Sequence, residues 1–182
     1  MNRFLIDYII ELIQRGNVMP IKTLNYGKEQ VFIYSKGKDF YLYGELTGST
    51  LIPKENIINN FLDGTYSLGY CRALDRYNVE IKEGDKVAST GGIVGIVEKV
   101  ILDIAELYKI RTGETEYKTF YKYNHIVKPL VIVKPTHIVQ HNEYTGMREL
   151  LHVENTVENE QYECFDLVKL PKDVVFNVKS HK

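Results

Sequence analysis

Arg72-Ala73-Leu74-Asp75-Arg76-Tyr77-Asn78-Val79-Glu80-Ile81-Lys82-Glu83-Gly84-Asp85-Lys86-Val87 runs on through Ala88-Ser89-Thr90-Gly91-Gly92-Ile93-Val94-Gly95-Ile96-Val97-Glu98-Lys99-Val100. Turn chemistry and strand alternation reinforce each other here over more than twenty residues. Gly84-Asp85 is a turn dipeptide that feeds a strand at Lys86–Ala88. Gly91, Gly92 and Gly95 permit positive φ and close backbone approach before a second strand reaches Val100. Strand, glycine-rich turn and strand at this spacing predict the first hairpin of a small β-barrel. Asp75 and Asp85 are expected to accept backbone hydrogen bonds within their turns.

Two family resemblances attach to these residues. Leu74-Asp75 through Val87 resembles the start of YopX-type phage proteins, in which an Asp-rich turn leads through a Glu-Ile element to a Glu-Gly-Asp-x-Val strand. Gly84 through Val100 is similar to the Gly-Asp-x-Val, Gly-Gly-Ile-x-Gly-x-Val stretch of YajC-like and KOW-like barrels. The first resemblance implies a setting in a bacteriophage or mobile element. The second implies a barrel alone, because the membrane helix of the YajC family has no counterpart here.

Outward from this stretch, residues 2–15 read as an amphipathic helix. Arg3, Asp7, Glu11 and Gln14 form a polar stripe, Leu5, Ile6, Ile9, Ile10, Leu12 and Ile13 fill the remainder, and Gly16-Asn17 is the stop. Gln30–Tyr34 and Phe40–Gly44 flank the polar turn Lys36-Gly37-Lys38-Asp39 as a hairpin. Pro53 opens a helix carrying Ile57, Ile58, Phe61 and Leu62, with Asp63-Gly64 as its end. The expected organisation is an α+β, mainly antiparallel β protein. An N-terminal helix and hairpin unit (1–65) precedes a small KOW/Tudor-type barrel (66–135) and a β-rich C-terminal extension (136–182). Leu107–Arg111 and Tyr117–Tyr123 are expected to be barrel strands, and Leu130–Val133, bracketed by Pro129 and Pro135, a short last one. Asp173–Val178 is expected to be a final strand of the extension.

The chain has 182 residues, a net charge of −1, 44% hydrophobic residues, 14 Tyr and no Trp. That balance excludes a generic polycationic nucleic-acid coat and a wholly acidic DNA mimic. Cys71 and Cys164 form no C-x-x-C pair, so a reduced cytoplasmic protein of the bacterial host is expected. The apolar N-terminus is interrupted by Asp7 and Glu11 and is too short to span a bilayer.

Charge is divided along the sequence. Residues 107–134 hold Lys109, Arg111, Lys118, Lys122, Lys128 and Lys134 against Glu114 and Glu116. Residues 142–167 hold Glu143, Glu149, Glu154, Glu158, Glu160, Glu163 and Asp166 against Arg148. Division of this kind speaks to partners more than to fold. Lys118, Phe120 and Lys122 share one face of a strand, the pattern of a stacking aromatic between cations that single-stranded nucleic-acid binders use. Glu154, Glu158, Glu160 and Glu163 offer carboxylates to an Arg/Lys-lined groove built for phosphates. The plainer readings are a core tyrosine face beside solvated lysines and a charge-guarded strand edge.

No metal, cofactor or catalytic residue is expected. His137 and His141 lack the Glu of an H-E-x-x-H motif, and on one strand they stand about 13 Å apart. The glycines at 91, 92 and 95 match neither a dinucleotide fingerprint nor a P-loop. Cys71 and Cys164 read best as structural thiols. The function expected is that of a non-enzymatic phage or mobile-element protein, an anti-CRISPR-type inhibitor that binds a Cas effector through Glu154, Glu158, Glu160 and Glu163 and blocks its nucleic-acid channel. The alternative is a nucleic-acid-binding module that uses Lys109, Arg111, Lys118, Phe120 and Lys122.

Overall fold

The N-terminal helix α1 (Arg3–Gln14) begins where the Asn2 side chain accepts the Leu5 N–H at 2.9 Å. It ends in a Schellman turn. Gly16, at φ +96°, donates to Ile13 O, and Asn17 N–H donates to Leu12 O. Leu5, Ile6, Ile9, Ile10, Leu12 and Ile13 are all buried, so the apolar face is consumed within its own unit. Each such side chain contributes roughly 1.5–3 kcal/mol. The computed structural model describes residues 1–112, 128–141, 143–144, 146–153 and 157–175.

The described chain is α+β and mainly antiparallel. It divides into two compact units. The first comprises Met1–Arg72 and the stretch from Leu102 that carries a helix. The second comprises Ala73–Ile101 and the stretch from Lys128. The sequence suggests three consecutive segments, whereas each of these units draws on two stretches of chain.

In the first unit, β1 (Met19–Thr23), β2 (Val31–Lys36), β3 (Asp39–Gly44), β4 (Gly48–Ile52) and β5 (Tyr66–Leu68) form one antiparallel sheet. Its order is β4-β3-β2-β1-β5. The β2–β3 turn is Gly37-Lys38, and only the glycine takes positive φ (+66°), as a Gly-first hairpin turn requires. The inner face, with Ile21, Val31, Ile33, Phe40 and Leu42 buried, is covered by α1 and by α2 (Lys54–Leu62). Ser35 Oγ donates to Ile13 O at 2.7 Å and pins the end of α1 to β2. Phe61 on α2 meets Tyr66 edge to face at 5.7 Å.

The expected strand at 107–111 is instead the helix α3 (Ile104–Thr112). Asp103 Oδ1 accepts the Glu106 N–H at 3.0 Å, and Leu107 N–H donates to Asp103 O. Asp103-Ile104-Ala105-Glu106 has the Asp-x-x-Glu form of a helix start, and it overrides the β-leaning Leu-Tyr-Lys-Ile run. Tyr66–Leu68, expected to open the barrel, pairs with β1 in the first sheet.

In the second unit, β6 (Ala73–Leu74) and β7 (Glu80–Ile81) form a short ribbon around the Asp75 turn. β8 (Lys86–Ser89) and β9 (Ile93–Ile101) form the expected glycine-rich hairpin. β10 (Leu130–His141), β11 (Arg148–His152), β12 (Glu160–Glu163) and β13 (Leu167–Lys169) complete a sheet of order β11-β10-β9-β8-β13, with β12 also on β10. One turn of 3-10 helix, Cys164–Asp166, carries the chain from β12 on β10 to β13 on the outer edge of β8. The sheet therefore curls into a half-barrel whose last strands come from 148–169, not from residues before 135.

Pro135 does not end a strand. It sits inside the 12-residue β10, between the stretch paired with β12 and the stretch paired with β11. Opposite β9 it falls at a register shift, so its missing N–H breaks no regular ladder. Of the described residues of the expected last strand, Asp173 shares a turn with Lys172, and Val174 and Val175 have no regular structure.

Candidate nucleic-acid interface

Alternation along β2 and β3 sends two sets of side chains to opposite faces. Val31 and Ile33, with Phe40 and Leu42, point to the helices. Phe32 and Tyr34, with Tyr41 and Tyr43, point away from them. Register places Phe32 opposite Tyr43 and Tyr34 opposite Tyr41. β4 adds Ser49 opposite Tyr43 and Leu51 opposite Tyr41.

The Tyr34 and Tyr41 rings stack at 5.3 Å with an interplanar angle of 18°, and Tyr34 Oη lies 3.0 Å from Ser49 Oγ. Tyr43 keeps 41% and Leu51 61% of their surface in water. Phenol rings laid on a rigid sheet and exposed at one edge offer flat π-faces for planar, unstacked groups. Lys36 and Asp39 close the hairpin end of this surface, and Lys22 lies further along the same face on β1.

The residues expected from sequence fall elsewhere. Lys109 is exposed on α3, and Arg111 belongs to that helix rather than to a strand. Lys118, Phe120 and Lys122, with the expected strand Tyr117–Tyr123, lie outside the described residues, as does Glu154. Glu158 is exposed beside β12. Glu160 and Glu163 stand on β12, opposite Val133 and Leu130 of β10.

Both carboxylates on β12 have local partners. Glu160 accepts the Tyr162 hydroxyl. Burial first, and then that hydrogen bond, push the Tyr162 phenol up to about 12. Glu163 pairs with Lys128 at 3.6 Å, and Lys128 Nζ stands 5.7 Å from the centre of the Phe165 ring. The basic and acidic segments thus touch at that point and partly neutralise each other.

His137 faces His152 across β10 and β11, ring centres 5.3 Å apart, whereas His141 faces Arg148. Burial, then His152, then Lys86 hold the His137 imidazole below its ordinary value. Among the described residues no three His, Cys, Asp or Glu side chains converge as metal ligands, and no helix is long and apolar enough to cross a membrane. Burial raises the thiols of Cys71 and Cys164.

Sequence reading located the hairpin but not the importance of its outward face. The signal was present: in β2 the aliphatic and aromatic residues alternate, and in both strands the tyrosines fall on one parity. No protein-family model, curated protein or solved structure matches this chain.

Proposed function

We propose that this is a non-enzymatic binding protein that takes single-stranded nucleic acid on the outer face of its first sheet. The observation that carries the reading is the stacked Tyr34–Tyr41 pair with exposed Tyr43 and Leu51, on a sheet whose other face is filled by helices. Bases stack on such rings without regard to sequence, and neighbouring lysines follow the phosphates. The half-barrel of the second unit is assigned to the KOW/Tudor type, and the resemblance of 74–87 to YopX-type proteins supports a phage or mobile-element protein acting in the bacterial cytoplasm.

Fluorescence anisotropy with labelled single-stranded DNA and RNA, at low and high salt, tests the binding. Affinity that falls with salt and with loss of Tyr41 or Tyr43 is the expected outcome. Absence of binding to either polymer at low salt would end the reading.

An anti-CRISPR-type inhibitor that covers the nucleic-acid channel of a Cas effector is the second reading. What favours it is Glu158, exposed at the margin of β12 with no ion-pair partner among the described residues. The local partners of Glu160 and Glu163 weaken it. Joint replacement of Glu154, Glu158, Glu160 and Glu163 by Gln is expected to abolish such a complex, and an undiminished complex would remove the occlusion mechanism.

A further inference from the structure

The outer face of the first sheet continues from the tyrosines to a cleft of about 400 Å³ beside β1 and β5. Lys22, Lys28, Thr23, Ser67, Cys71 and Leu24 are among its lining residues. Among the described residues the lining includes two lysines and no carboxylate. Neither lysine has an ion-pair partner among the described residues. A concave site with uncompensated positive charge and nearby hydroxyls is built for an anion.

A Cβ at Gly69 would lie 3.0 Å from Lys22 Cε and 2.8 Å from Leu102 O. The bare glycine therefore lets the lysine stem lie along the backbone at the end of β5. Leu24, 87% exposed, and Leu102 give the cleft apolar wall as well as charge. Lys22 stands on the same face as Tyr43. From the pairing of Tyr43 with Phe32 and of Phe32 with Pro20, two strand spacings and two residues separate them, about 12 Å.

We propose that this cleft binds a phosphate monoester, with Lys22 and Lys28 as the charged ligands. The terminal phosphate of a nucleic-acid strand lying on the tyrosines is one source, and a free nucleotide is the other. A terminal phosphate carries more charge than an internal diester, and two flexible ammonium groups reward that extra charge most. The strand-end form of this inference rests on the nucleic-acid reading above. The cleft itself does not.

The test compares the full chain with the Lys22→Met, Lys28→Met double variant. The probes are one labelled oligonucleotide ending in hydroxyl, 5′-phosphate or 3′-phosphate, and separately a nucleoside monophosphate. We expect one phosphorylated end to bind at least about tenfold more tightly than the hydroxyl form. The double variant should lose that preference, so that the three oligonucleotides then bind alike. Equal binding of all three oligonucleotides, with no binding of the monophosphate, would overturn the cleft proposal and leave the tyrosine face standing. Lysine-dependent binding of the monophosphate, with no binding of any oligonucleotide, would support the cleft as a nucleotide site and overturn the tyrosine reading. Binding of none of the probes would overturn both.

Discussion

Lys169 Nζ lies 2.7 Å from Asp85 Oδ2, joining the last described strand to the turn that opens the first strand of the same half-barrel. The backbone N–H of Lys169 also donates to Asp75 Oδ2 at 2.9 Å, so one residue of β13 holds both buried aspartates. Asp85 further accepts Lys82 N–H, and Asp75 accepts the N–H groups of Tyr77 and Val79. The two carboxylates shape their local turns, and β13 reads both turns at once.

Removing either end of the Lys169–Asp85 pair should therefore destabilise the fold. Asp85 keeps 9% and Lys169 25% of its side chain exposed, so screening is partial. Asp85→Ala is expected to cost about 2–3 kcal/mol, below the full cost of breaking a deeply buried pair. Urea unfolding of Asp85→Ala, Lys169→Met and the double variant measures the coupling. Strict additivity of the two single changes would show that the pair contributes nothing.

Gly95 and Gly91 should respond oppositely to the same substitution. A Cβ at Gly95 would stand 2.4 Å from both Lys134 O and Val133 Cγ1, where β10 crosses close to β9. At Gly91 the nearest atom would be Ser89 Oγ at 3.7 Å. Gly95→Ala is expected to lower the thermal midpoint sharply or prevent folding, and Gly91→Ala to leave it almost unchanged, within about 0.5 kcal/mol. Melting curves of the two variants decide it.

Tyr43→Ala should separate binding from stability. Its ring is exposed and points away from the helices, so the melting temperature should hardly move. If a base stacks on it, affinity for single-stranded nucleic acid should fall by about 1–3 kcal/mol, and Tyr43→Phe should retain most of it. Anisotropy titrations at fixed salt are the measurement. Equal affinities for Tyr43→Ala and the parent chain would remove Tyr43 from the interface.

The His137 imidazole is held low chiefly by burial, with His152 and Lys86 adding repulsion. Between the lowered folded value and the ordinary one near 6.5, the unfolded chain binds the extra proton, so stability rises with pH. This contribution is fully present above about 6.5 and is lost as pH falls through the folded value. His137→Gln should flatten that part of the stability profile. Urea midpoints of the two chains collected from pH 5 to 8 test it, and parallel profiles would contradict it.

The glycine-rich hairpin was legible because its information is local. Gly84-Asp85 folds back so that Gly84 N–H reaches Val97 O at 2.8 Å, and Val97 N–H returns to Asp85 O at 2.9 Å. Gly92 takes φ +88°, and Gly95 supplies the close approach. The six buried residues of α1 were equally plain, since a period of 3.6 needs no knowledge of the partner surface. The helix at 104–112 was also written locally, in Asp103 and Glu106, but its β-prone residues pointed the other way.

Which strands share a sheet was not legible. Tyr66–Leu68 reads the same whether it pairs with β1 or opens a barrel, and Pro135 reads as an end until β11 and β12 are seen to divide β10 on either side of it. The sequence by itself determined the turns, the helix faces and the alternation that puts tyrosines on one side of β2 and β3. Only the tertiary structure decided that helices cover the opposite side, that the cleft of Lys22 and Lys28 continues the tyrosine face, and that Lys169 meets Asp85. The physical reason is separation along the chain. Backbone dihedrals and side-chain parity are fixed by neighbouring residues, whereas pairings between distant strands depend on which apolar surfaces are buried together and on the loop-closure entropy their assembly overcomes.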